Sequence, residues 1–159
     1  MDLSNQLIGD AEEAALRQVG LMHPDDPASP REAVRSYRDL NLWKEAKTLA
    51  IEVLRIADGP TLSRRRALCD QISRSAISVP SNIAEGDERG SNRDSIRFLY
   101  IARGSAAELA TQLEIAHDIG ALTPTEYQST HRRLYSVNQL LGGTIRMRQE
   151  RLRQEERHP

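Results

Sequence analysis

The chain has 159 residues, with 22 Lys+Arg against 23 Asp+Glu and a formal net charge of −1. That length is one ordinary domain, long enough to bury a core and short for two. A composition that is 38% hydrophobic and 28% charged excludes wholesale disorder, and one Trp, four Tyr and one Phe disfavour a β-sandwich or an aromatic-lined barrel.

The near-zero charge is a sum over unlike parts. Residues 1–36 hold three arginines and seven acids, a balance of −4, and the remaining 19 cations and 16 acids give +3. Lys44 and Lys47 are the only lysines, so the basic character is arginine, whose planar fork suits phosphate and carboxylate. Cys69 is the single cysteine, which rules out an intrachain disulfide and a cysteine zinc site and fits a reducing compartment. There is no signal-peptide pattern and no apolar run of the roughly 18 residues that span a bilayer, so the expectation is a soluble, cytoplasmic protein without a membrane partner.

In chain order, residues 1–35 form an acidic extension. Leu3, Leu7, Ala11, Ala14, Leu16 and Val19 keep a loose helical rhythm, and Pro24, Pro27 and Pro30 then break it. The extension reads as a flexible arm with a transient helix, or as a helix that docks on the body or on a partner. From Tyr37 the pattern is helical throughout. Leu42, Ala46, Leu49, Val53 and Ile56 line a first helix, widened by Trp43, Ala50, Leu54 and Ala57; Ser36 or Asp39 caps it and Gly59-Pro60 stops it.

A second helix, starting near Thr61 and ending around Gly86–Gly90, carries Leu68, Ile72, Ala76, Val79 and Ile83, with Pro80 expected to kink it. The third carries Leu99, Ala102, Ala106, Leu109, Leu113 and Ala116. Ser91 and Asp94 form its capping box and Gly120 ends it. The fourth starts at Thr123-Pro124 with Glu126 as box partner and Leu122 and Tyr127 as staple. It continues through Leu134, Leu141, Ile145 and Leu152, with His131 and Asn138 in the same register.

Four amphipathic helices with short connections predict an all-α, up-and-down antiparallel four-helix bundle over 36–154, with a charged tail at 155–159. Alanines on the third helix and Gly142-Gly143 on the fourth are expected to let backbones approach closely.

Bundles host metals, so the Glu-x-x-His pairs Glu114/His117 and Glu155/His158 were weighed against a di-iron site. The second pair falls at the chain's last residues and the first beside the apolar stripe, which favours surface positions with no metal and no cofactor. Arg153 and His158 have the Arg-x4-His spacing of HEPN-type helical RNases, but a charged tail produces that spacing easily. No nucleophile arrangement stands out, and the expectation is a protein that is not an enzyme.

The basic clusters say more. Arg64, Arg65 and Arg66 precede Arg74 by about two turns, Arg89, Arg93 and Arg97 surround the turn into the third helix, and Arg146, Arg148, Arg151 and Arg153 crowd the end of the fourth. The first two groups are candidate phosphate contacts. The alternative is a solvated face, and stacking platforms for reading single-stranded bases are lacking. Ser78–Gly86 places Pro80, Ser81, Asn82 and Glu85 in a helix that continues an apolar stripe. Those polar groups need partners, with Asn82 and Glu85 spaced to face one neighbour and Ser or Asn available for the carbonyl that Pro80 frees.

At this segment the sequence resembles the bacterial four-helix-bundle family of 23S ribosomal RNA intervening-sequence proteins. The resemblance is carried by Tyr37–Trp43, Gln71–Arg74, Ser78–Gly86, Arg97–Ser105 and Glu108–Ala116, and spans roughly residues 36–150. It implies an up-and-down bundle that assembles as a ring-shaped homopentamer. A related branch, the accessory variability determinant of diversity-generating retroelements, implies RNA or DNA binding and a reverse transcriptase as partner. On this reading Pro80, Ser81, Asn82, Glu85, Gly86, Gly104, Ser105 and Glu108 form a structural motif or subunit contact. A second reading is a protein-interaction oligomer without nucleic acid, in which the acidic 1–35 segment is a partner-specific arm or a cover for the basic body.

Overall fold

A computed structural model of the chain describes residues 36–157; the acidic extension of residues 1–35 lies outside them. Four helices follow one another: α1 (Asn41–Ala57), α2 (Arg66–Glu88), α3 (Asn92–Asp118) and α4 (Pro124–Arg157). Each packs on its neighbours in sequence and α4 closes back on α1, giving the four sides of an up-and-down bundle.

The helices begin and end largely where local chemistry dictates. The Thr123 hydroxyl accepts the Glu126 N–H at 3.2 Å while the Glu126 carboxylate accepts the Thr123 N–H at 2.8 Å, a full capping box with Pro124 as first helical residue. Ser91 caps α3 by accepting the Asp94 N–H at 3.1 Å. Gly120, at φ +69°, ends α3: its N–H reaches the His117 carbonyl and the Ala121 N–H the Ala116 carbonyl, the paired bonds of a Schellman turn.

Two starts differ from the sequence expectation. Ser36 caps a 3-10 turn over Tyr37–Asp39, so α1 starts only at Asn41, and Leu40 at its cap position supplies no side-chain bond. α2 starts at Arg66 rather than near Thr61, because 59–65 fold as turns over Leu62, which is 2% exposed. The helix then runs unbroken through Pro80 to Glu88.

The expected stripes form the core. Leu42, Ala46, Leu49 and Val53 of α1 meet Ile72, Ala76, Val79 and Ile83 of α2, all six expected positions of α3, and Leu134, Leu141 and Ile145 of α4. On α4, His131 and Asn138 are exposed instead, and Thr130 and Val137 take the buried positions. Thr130 satisfies its hydroxyl on the Glu126 and Tyr127 carbonyls.

Close backbone approach occurs at Gly86, not at Gly142-Gly143. A Cβ on Gly86 would lie 2.8 Å from the Phe98 Cβ and 3.3 Å from the Ser95 carbonyl oxygen, whereas one on Gly143 meets nothing within 4 Å. Gly86→Ala is therefore expected to destabilise the bundle by about 1–3 kcal/mol through overpacking. Gly143→Ala should be neutral or stabilising by up to about 1 kcal/mol. Urea unfolding midpoints of the two variants check the contrast.

A polar strut ties α1 to α4. Glu52 accepts from Ser129 and, at 2.8 Å, from Arg133 Nε, and Arg133 Nη1 reaches Glu45 at 3.3 Å. Burial favours the neutral acid of Glu52, but the Ser129 and Arg133 hydrogen bonds and the charges of Arg133 and Arg132 outweigh it, leaving its pKa below the ordinary 4.5. A carboxylate lowered in the folded state contributes stability that is complete above its unfolded value and lost as pH falls through the folded one. Glu52→Gln should cost about 1 kcal/mol at neutral pH and shrink in effect as the pH drops below about 4.5. Unfolding midpoints between neutral pH and the acid limb test that convergence.

Candidate nucleic-acid interface

Helix geometry separates the arginines that the sequence suggested as phosphate contacts. Arg64 and Arg65 lie in the turn before α2, Arg66 is its first residue, and Arg89 follows its last. At 1.5 Å per residue, Arg66 and Arg89 are about 35 Å apart along α2. The two groups therefore sit at opposite ends of the bundle and make no common surface within one chain.

At the first end, Arg64, Arg65, Arg66 and Arg74 are all exposed, and none has an acid partner among the described residues. Arg74 lies about 12 Å along α2 from Arg66. Arg65 holds the cap position without a side-chain cap bond, which leaves the first N–H groups of α2 lacking a side-chain acceptor and adds the positive helix end to the guanidinium charges. Exposed Asp70 falls four residues from Arg66 and from Arg74 and pairs with neither.

At the opposite end the cations are mostly engaged. Arg89 pairs with Glu85 at 2.6 Å and lies over the Phe98 ring, and Arg93 meets Glu156 at 3.0 Å. Arg97 is exposed and has no acid partner among the described residues. Arg148 is held at 2.6 Å by Asp87 and at 3.2 Å by Asn92, with its Nε buried and unpartnered. The Arg89 and Arg93 pairs are exposed and worth little. The Arg148–Asp87 pair, about one-fifth exposed on each side, ties α2 to α4 structurally.

The Ser78–Gly86 segment resolves into three parts. Asn82 donates to the Ser78 carbonyl at 2.8 Å and to Ser78 Oγ at 3.0 Å, and Ser78 Oγ shares a hydrogen with Ser105 Oγ of α3 at 2.8 Å. One helical turn or so away, Ser75 donates to Gln112 at 2.6 Å. These bonds make a polar seam between α2 and α3, with Gly86 buried at its end. Glu85 turns to Arg89 rather than sharing a neighbour with Asn82, and Ser81 bonds back to the Ile77 carbonyl. Pro80 and Ser81 line a groove of about 320 Å³ with Trp43, Ile51 and Ile77. Gly104 and Glu108 are exposed on α3.

Metal chemistry finds no support in the described residues, where no group of three or more His, Cys, Asp and Glu is placed to hold an ion. Glu114 is exposed and His117 stacks on Tyr127 at 4.3 Å between ring centres. His158, needed for the second Glu-x-x-His and for the RNase spacing, lies outside the described residues. Cys69 is half-buried, its thiol 3.5 Å from the Ala57 carbonyl. No described helix is long and apolar enough to cross a membrane. Sequence reasoning missed the Glu45–Glu52–Arg133–Ser129 strut. Its signal was two acids seven apart on one helix opposite a Ser and an Arg four apart on another.

The pattern of pairing makes a test. Arg148→Leu should lower bundle stability by about 1–3 kcal/mol by leaving Asp87 unpaired. In Arg64→Ala and Arg74→Ala, thermal or urea unfolding should stay within about 0.5 kcal/mol of the parent.

Comparison with known proteins places these features in a lineage. The family model described as 23S rRNA-intervening sequence protein matches residues 38–143. A solved structure of a protein of unknown function from the S23 ribosomal protein family of Bacteroides thetaiotaomicron is similar at 25% identity and a TM-score of 0.60, covering 65% of this chain and 97% of that one. No curated protein matches.

Proposed function

The chain belongs to the 23S rRNA-intervening sequence protein family, and from that premise we propose that it is a non-enzymatic, homo-oligomeric bundle that binds structured RNA. Five copies is the number the family resemblance implies. The observation that carries the RNA reading is the group of four exposed arginines, Arg64, Arg65, Arg66 and Arg74, which have no acid partner among the described residues and lie toward one end of α2. Guanidinium forks at a helix N-terminus suit phosphate oxygens, and phosphate contacts position a nucleic acid without reading its bases.

The surrounding chemistry favours a folded RNA over a splayed single strand. The described aromatic rings beside cations, Tyr37, Trp43, Phe98 and Tyr100, lie on other parts of the molecule from Arg64–Arg66, and Tyr127, at the same end of the bundle, is already stacked on His117 and tilted against His131. Arg89 and Arg93 contribute secondarily, since each must first leave a carboxylate, while Arg97 is free to contribute directly.

Titrating an RNA hairpin with the full chain at rising salt tests the proposal. Affinity should fall steeply with salt, and Arg64/Arg65/Arg66→Ala should weaken low-salt binding by at least about tenfold and flatten the log–log salt slope by about two to three. The RNA should be recovered uncleaved. Absence of binding at low salt, or affinity unchanged in the triple variant, overturns the assignment.

A further inference from the structure

Among the described residues, every Phe, Trp and Tyr ring but one has a partner. Tyr37 stands edge-on to Trp43, Tyr127 stacks on His117, Arg89 lies over Phe98 and Arg103 over Tyr100. The exception is Tyr135 of α4, at 63% the most exposed large hydrophobic residue described. It belongs to a pattern. Gln128, Arg132, Tyr135, Gln139, Gly142 and Arg146 recur at spacings of four and three, an outer stripe opposite the one that Leu134, Leu141 and Ile145 bury.

The charge of this stripe has one sign. From Tyr127 to Gln149, α4 carries Arg132, Arg133, Arg146 and Arg148 and no acid. Arg133 and Arg148 turn to Glu52, Glu45 and Asp87 of neighbouring helices. Arg132 and Arg146 stay exposed, with no acid partner among the described residues. Acids resume at Glu150, which Arg153 and Gln154 hold. Gly142 adds to the pattern, because a glycine inside a helix lowers its stability and needs a reason. A Cβ there would meet only Arg146 Nη1, at 3.6 Å, so the guanidinium folds back along the stripe toward Tyr135 over bare backbone.

A protein partner would call for apolar neighbours, since interface cores are poor in charge. Around Tyr135 the stripe offers two arginines and two glutamines instead. That set suits a polyanion carrying flat rings: a ring face for a base, guanidinium forks for phosphates, and amides for base edges or 2′-hydroxyls. A duplex keeps its bases stacked inside, so the base that reaches an exposed ring is an unpaired one.

We propose that this stripe is a second nucleic-acid site, which takes an unpaired stretch of RNA with a base stacked on Tyr135 and phosphates held by Arg132 and Arg146. The two arginines lie about 21 Å apart along α4, with Tyr135 between them, so the strand follows the helix axis. α4 packs on α1 and α3 and not on α2, which puts the stripe on the corner of the bundle diagonal to Arg64–Arg66. The inference goes beyond that phosphate patch and rests on the nucleic-acid part of the function proposed above. With both sites, a folded RNA carrying a loop or bulge is preferred to an uninterrupted duplex.

Fluorescence titrations of full-length chains test this with two probes. One is a short single-stranded RNA carrying 2-aminopurine, whose emission falls when its ring stacks, and the other is a blunt RNA duplex without a loop. Tyr135→Ala should weaken the single strand at least about fivefold and abolish the quenching, Tyr135→Phe should keep both, and neither should alter duplex binding. Arg132→Ala/Arg146→Ala should weaken the single strand and flatten its log–log salt slope by about one to two. Arg64/Arg65/Arg66→Ala should do the reverse, weakening the duplex and sparing the single strand. Equal single-strand binding by the parent and Tyr135→Ala, quenching that survives in Tyr135→Ala, or a Tyr135→Phe variant as weak as Tyr135→Ala overturns the stacking site. Loss of both probes together in Arg64/Arg65/Arg66→Ala overturns its independence. Absent duplex binding with a single strand that still needs Tyr135 overturns the α2 patch and supports this site. No binding of either probe at low salt overturns both.

Discussion

The close approach of α2 to α3 sets the position of everything else in the described bundle. With hydrogen in place of a side chain at Gly86, the Phe98 and Ser95 backbone region can come into contact with α2. Above that contact the Ser78–Ser105 and Ser75–Gln112 bonds are spaced so that they form together in one register only. Sliding α3 by a turn would break both cross-helix bonds, returning the serine hydroxyls to their own helices' carbonyls and to Asn82 and leaving Gln112 without its Ser75 donor, at about 1 kcal/mol for each bond lost. The seam therefore converts an apolar interface, which tolerates slippage, into one with a single alignment. That alignment puts Arg64–Arg66 at one end, Arg89 and Arg93 at the other, and the Ile101–Ile115 edge outside α2.

The same alignment decides which charges are available. At the end where α2 leads into α3, the acids of α4's last turns reach Asn92 and Arg93, and Asp87 takes Arg148. Carboxylates of α2 and α4 converge there on Arg89 just after α2, Arg93 of α3 and Arg148 of α4. At the other end the turn over Leu62 and the first residue of α2 carry three consecutive arginines, and no acid among the described residues reaches them. The net charge of −1 thus says little about either surface, because neutralisation is local and a pair a Debye length away contributes almost nothing to a phosphate contact.

How much of this the sequence disclosed follows from the range of the forces involved. The caps of α3 and α4 and the Gly120 turn were legible, since each is closed by residues within a few positions. So were the stripes, because a 3.6-residue period is a local property; the family resemblance of residues 36–150 agreed with the matched 38–143. The late start of α2 was not, because burial of Leu62, a tertiary event, holds 59–65 as turns. Gly142-Gly143 looked more suggestive than Gly86, but the worth of a glycine depends on what stands opposite it on another helix. The Arg89–Arg97 group looked like a patch because Glu156, the partner of Arg93, lies 63 residues away on α4, and Glu85, the partner of Arg89, was expected to share a neighbour with Asn82. The Asn82–Glu85 spacing suggested one shared neighbour, whereas Asn82 bonds to Ser78 in its own helix and the exposed Glu85 turns to Arg89.

On the proposed function, phosphate binding and self-assembly are linked by arithmetic. Four exposed arginines offer a handful of contacts, each loosened by salt, so one bundle alone is a weak binder at physiological ionic strength. Identical patches repeated around a closed ring convert later contacts into intramolecular ones, and effective concentrations in the millimolar range then multiply a modest affinity by orders of magnitude. The gain would be realised only by an RNA that spans neighbouring patches, so an assembly of the proposed kind would select long or folded molecules over short ones without any base being read. That selectivity needs no pocket, no stacking ring and no catalytic group. It would need only that the arginines stay free of acid partners, as they are among the described residues.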